Sequence, residues 1–110
     1  MMKFLVLYRS TVPAALQSAS ASPEQMKGMV RWRAWMERVQ PAIVDLGAPL
    51  GYAVKIVGKT VVESDSWIAG YSILQAESQT ALIDLLRSHP HHLEPGASIE
   101  VLEMLPLPGM

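Results

Sequence analysis

The chain has no cysteine, which excludes disulfides, thiolate metal sites and cysteine nucleophiles and fits a reducing compartment. Charge is scarce too: 17% of its residues are Asp, Glu, Lys or Arg, below the roughly 25% of soluble domains. A net charge of -1 leaves no surplus of cations for phosphate contacts and argues against nucleic acid, so no nucleic-acid partner is expected. Lys27, Arg31, Arg33 and Arg38 cluster on one expected helix, but Glu24 and Glu37 dilute them into a solvated face. Long hydrophobic runs are missing. The apolar core of residues 1–8 is only about five residues long, too short for a signal peptide or a membrane span, so the expected location is cytoplasmic. Gly-rich phosphate loops and nucleophile elbows are also absent, and no cofactor is expected.

What is there is apolar: half of the 110 residues. That length makes one domain, residues 1–110, and the low charge implies a surface partly covered by another copy. Lys3 to Arg9 reads as a strand apolar on both faces, hence central. Ala14 to Leu16 can form a helical turn within a loop. Ser22-Pro23-Glu24-Gln25 then starts a helix, with Ser22 as cap and Gln25 completing a capping box. Apolar residues recur at Met26, Met29, Val30, Trp32, Met36, Val39, Ile43 and Leu46, close to helical spacing. Pro41 predicts a break, a last helical piece from Pro41, and an end at Gly47 as a left-handed cap, followed by a turn over Ala48 to Gly51.

Tyr52 to Val57 and Thr60 to Glu63 flank Gly58-Lys59 as a hairpin, and Trp67 to Gln75 is a strand with a bulge or close approach at Gly70. Ser78 caps a second helix with the stripe Ala81, Leu82, Leu85 and Leu86, an outward Asp84–Arg87 pair, and a stop at Pro90. Ile99 to Met104 is the last strand. This order predicts an α+β fold, ferredoxin-like βαββαβ with an extra hairpin, its antiparallel sheet carrying both helices on one face. No third helix covers the other face, so a homodimer formed sheet to sheet is expected.

The opening Met2 to Tyr8, the Trp32 to Met36 helix, Gly47 to Leu50, Gly70 to Ile73 with Ala76 to Ser78, His89-Pro90 and Ser98 to Val101 together resemble the YCII-related family and its relatives with an Asp-Gly-Pro-Phe motif. The resemblance implies a dimeric α/β barrel of two ferredoxin-like subunits. Where those relatives carry Asp-Gly-Pro-Phe, this chain has Glu63-Ser64-Asp65-Ser66-Trp67. Members proposed as enzymes use a histidine on the first helix beside an aspartate, and no histidine stands on the first helix here, so that dyad does not transfer.

His89, His91 and His92 are the only histidines. Imidazole titrates near neutrality and suits acid-base work, while a histidine at a helix C-terminus also serves the dipole and the free carbonyls. With Glu94 or Glu100 the spacing matches no zinc pattern, and no metal is expected. Trp32 and Trp35, with Arg33 between them to meet a carboxylate, line a pocket or pack on the sheet; Trp67 reads as an interface residue. Asp45, Asp65 and Glu100 are the acids nearest apolar sequence. The sharpest expected site is a cleft holding His89 and Glu100 as catalytic groups, with Tyr8 and Tyr71 as hydrogen-bond donors; Trp32 and Arg33 are separately expected as ligand contacts. The expected function is binding of a small, partly apolar metabolite in a helix-sheet cleft, with cofactor-free lyase or isomerase chemistry open. The alternative is a non-catalytic binding or assembly module acting through its dimer.

Overall fold

The structure is a computed structural model that describes residues 1–11, 23–64 and 66–109. The Ser22 cap, the turn expected around residues 14–16 and Asp65 lie outside these residues. Strand β1 spans Met2–Arg9, and its alternation is sharp: Phe4, Val6 and Tyr8 are buried, while Leu5 and Leu7 between them are half-buried. A central strand packed on one face and open on the other has this pattern. Helix α1 spans Pro23–Arg38 and closes on a short 3-10 turn at Gln40–Ala42, where Pro41 withholds the amide that would continue it.

Strand β2, Ile43–Pro49, corrects the sequence reading, which carried a helix from Pro41 to Gly47 and a turn from Ala48. A seven-residue run with Ile43 and Val44 at its head is too short for periodicity to separate helix from strand. Pairing decides it: Ile43 faces Leu74, Asp45 faces Ile73, and Ala48 faces Tyr71 across an antiparallel ladder. The register slips twice, and Gly47 sits in the second slip at φ 75, its N–H donating to Asp45 Oδ1 at 2.8 Å. Gly47 is thus a bulge glycine, not a helix cap. A Cβ there would run into the Tyr71 carbonyl, so the strands approach too closely for a side chain.

Strands β3 (Val54–Val57) and β4 (Thr60–Glu63) form the expected hairpin. Gly58 takes the first of two turn positions at φ 62, the conformation that a tight primed turn requires. Strand β5, Ile68–Ala76, pairs with β1 in a register that slips between Tyr8 and Arg9, opposite the bulge expected at Gly70. Helix α2, Gln79–Leu86, starts as expected, with Ser78 Oγ accepting from the Ala81 N–H at 3.1 Å. Asp84 and Arg87 stand 4.0 Å apart on its exposed side. A 3-10 turn, Pro90–Leu93, leads to β6, Ser98–Glu103.

The main sheet runs β2-β5-β1-β6 with every neighbour antiparallel, the ferredoxin-like order, and β3-β4 forms a separate two-stranded sheet. Both helices lie on one face. Trp35 and Val39 from α1 meet Leu82 and Leu86 from α2 over Phe4, Val6, Tyr8, Leu74 and Ala76. The opposite face presents Leu5, Leu7, Tyr71 and Ile73 half-buried and Leu102 exposed. Among the described residues no helix is long and apolar enough to cross a membrane.

Candidate functional site

The site grows from the way α2 ends. Its last carbonyls need donors. Leu85 O accepts from Trp35 Nε1 and from Ser88 Oγ, both at 3.2 Å; Leu86 O accepts from the His89 N–H at 3.0 Å and from His92 Nε2 at 2.9 Å. His92 therefore does the carbonyl capping expected of a histidine at a helix end. Pro90 disfavours helical geometry in the residue before it, and His89 is extended at φ -69, ψ 133. That backbone turns the His89 ring inward, to an exposure of 2%.

There the imidazole sits in an aromatic box. Its centroid is 4.2 Å from Trp32 at an interplanar angle of 87°, 4.3 Å from Trp35 and 4.8 Å from Tyr8. Nδ1 accepts from the His91 N–H at 2.9 Å, so the neutral ring carries its proton on Nε2. Nε2 is the one buried side-chain polar atom without a hydrogen-bond partner among the described residues. Burial, aided by the charges of His91 and His92, lowers the pKa of His89 to about 3. The ring is neutral at physiological pH, a donor at Nε2 and a weak base.

Its neighbours are already engaged. Tyr8 donates its hydroxyl to Ser72 Oγ at 3.1 Å, and Ser72 donates to Leu46 O at 2.8 Å, a buried relay from β1 through β5 to β2. Burial raises the Tyr8 pKa, opposed by the Ser72 hydrogen bond, and keeps the phenol protonated. His91 is buried as well; its Nε2 donates to Arg9 O at 2.8 Å, and its Nδ1 is 3.7 Å from Glu94 Oε2, which ties the turn after α2 to the end of β1.

His89, Tyr8 and Trp32 are brought together on the helix face. Glu100 and Tyr71 are not with them, which corrects the expected single cleft within one chain. Residues opposite one another on paired strands share a face. Tyr8 stands opposite Gly70 and Ile99, whereas Tyr71 and Glu100 both stand opposite Leu7. The sheet therefore separates the two pairs. Glu100 Oε2 meets Arg9 Nη1 at 3.3 Å in a part-exposed ion pair, and Arg33 is exposed on α1, outside the box. Ser72 and the inward role of His91 were missed from the sequence. The signal for Ser72 was present, a polar residue at the buried parity of Leu74 and Ala76. Among the described residues no group of three or more His, Cys, Asp or Glu is placed to hold a metal ion.

No family model matches this chain, and no curated protein matches it. Among solved structures it is similar to 5-chloro-2-hydroxyhydroquinone dehydrochlorinase from Burkholderia phenoliruptrix, determined in complex with 2,5-dihydroxybenzoquinone; the two share 20% identity over 90% of this chain and 91% of that chain, with a TM-score of 0.49.

Proposed function

We propose that this chain is a homodimer, sheet against sheet, that binds a small, partly apolar molecule beside His89 on each helix face. The observation that carries the binding reading is the unpartnered His89 Nε2–H inside an aromatic box. A buried donor left unmade costs about 1–3 kcal/mol, and an acceptor atom on a ligand would recover it. Trp32, half-buried and edge-on to the imidazole, is the side chain whose rotation would admit such a molecule, and Tyr8 and Trp35 supply the apolar walls. Binding is favoured over cofactor-free acid-base catalysis by two features: a ring this weakly basic takes up protons poorly near neutrality, and Glu100 is on the other side of the sheet, paired with Arg9.

The dimer reading rests on the opposite face, where Leu5, Leu7, Tyr71, Ile73 and Leu102 line the sheet away from both helices. The YCII-related resemblance of the sequence supports the same arrangement. Two tests apply. A metabolite screen by thermal melting should yield compounds that raise Tm for the native chain and not for His89→Asn; compounds that stabilise both equally would overturn the site. Light scattering at micromolar concentration should give a dimer, and a clean monomer would overturn the assembly.

A further inference from the structure

The β3-β4 hairpin is a second apolar surface, and neither the fold nor the site uses it. It projects beyond the end of the β2/β5 ladder, which the Leu50 N–H closes by donating to Ala69 O at 2.9 Å, and its own ladder starts where the Ser64 N–H donates to Ala53 O at 3.3 Å. Every one of its eight strand residues is exposed. The registers place Val54, Ile56 and Val61 on one face and Val57 and Val62 on the other. A solvated hairpin has no use for β-branched aliphatic residues on both faces, and a two-stranded ribbon alone is marginally stable in water. Exposures of 69% for Val54, 68% for Ile56 and 63% for Val61 mark side chains that await a cover.

We infer that this arm closes on a second copy of the chain, clasping the body of its partner; the inference rests on the sheet-to-sheet dimer proposed above. Two observations favour a second copy as the occupant. On one face Val54, Ile56 and Val61 expose on the order of 300 Å², at the lower end of the largest apolar patch of a typical monomer. Two arms related by a two-fold axis therefore contribute on the order of 600 Å², and with a similar area covered on the partner bodies the total reaches the roughly 1,200–2,000 Å² of a stable interface. In the chain the arm also lies between β2 and β5, whose Asp45, Tyr71 and Ile73 belong to the sheet face that meets the partner.

Hydrogen exchange of the whole chain, read over residues 54–63 at low and high micromolar protein, tests this beside light scattering. Ile56→Asp with Val61→Asp breaks the arm at a cross-strand pair; Leu7→Glu and, as a milder surface change, Leu102→Glu break the sheet face, with circular dichroism to show that each variant folds. Protection of 54–63 that rises with dimer concentration, together with a dimer weakened roughly tenfold or more by the arm variant, supports the clasp. If the dimer forms but 54–63 exchange as fast as in the Leu7→Glu monomer, the clasp is overturned and the sheet dimer stands. If Leu7→Glu and Leu102→Glu stay dimeric with 54–63 protected, the clasp stands and the sheet contact fails. A native chain that remains monomeric throughout overturns both.

Discussion

Acidification should expose His89 as a group that folding keeps neutral. Its pKa is about 3 in the folded chain against 6.5 for a free imidazole. Between those two values the unfolded chain binds a proton that the folded chain refuses, so stability must fall as pH drops. Above about pH 6.5 neither state carries the proton and the contribution is flat. The slope is about 1.4 kcal/mol per pH unit, so descending from about pH 6.5 to pH 5 costs about 2 kcal/mol, with a ceiling of roughly 4–5 kcal/mol near pH 3. Against a total stability of roughly 5–15 kcal/mol for a domain, that loss is measurable.

Urea denaturation at a series of pH values from about 7 to about 4.5 gives the slope directly. His89→Asn is the matched variant, because an asparagine carbonyl can accept the residue-91 N–H as Nδ1 does now, while nothing titrates. The variant should lose about 1–3 kcal/mol at every pH from the smaller side chain, and its acid slope should be lower by close to one proton. The carboxylates common to both chains cancel in the difference. Identical slopes, or a His89 imidazole that titrates near 6.5 by nuclear magnetic resonance, would refute the account of a desolvated ring in an aromatic box.

Four further substitutions probe the fold that holds this ring. Gly47→Ala should destabilise by about 2–4 kcal/mol in urea, since the left-handed backbone alone costs about 1–2 kcal/mol and the Tyr71 carbonyl must also move. Gly58→Ala, with open space at its Cβ, should cost only the backbone part, so equal losses at the two sites would contradict the packing argument. Ser78→Ala removes the α2 cap and should cost about 1 kcal/mol by thermal or chemical melting, with no loss meaning that Oγ does not cap. Leu82→Ala, at 0% exposure between α2 and the sheet, should cost about 2–5 kcal/mol.

Where chain-local chemistry decides an element, the sequence sufficed. The alternation of β1, the Gly58-Lys59 turn, the Ser78 cap and the stripe of α2 all express signals carried by neighbouring residues, and all are present in the structure. Strand β2 was misread because its deciding contacts are remote. Pro41 and Gly47 bracket Ile43 to Leu46 in a way that suits a short capped helix, and only the ladder to β5, some thirty residues away, turns Gly47 into a bulge. A seven-residue segment carries too little periodicity to outvote its punctuation.

The candidate site divides along the same line. Alternation within a strand says which residues share a face, but the parity between strands depends on register, which no single strand encodes. Tyr8 and Glu100 were therefore placed in one cleft although the register of β1 with β6 puts them on opposite faces. Helix-end chemistry predicted carbonyl capping for the histidines, and His92 does it, while the extended backbone before Pro90 sends His89 the other way. On that inner face the polar side chains are committed: Tyr8 to Ser72, Ser72 to Leu46, Trp35 to Leu85, His91 to Arg9. Only the Nε2 of His89 is left among the buried side-chain polar atoms described. The proposed ligand on the helix face would therefore meet its buried donor at His89, whereas Tyr71 and Glu100 would contribute only if a second sheet closes over the row they share with Leu7.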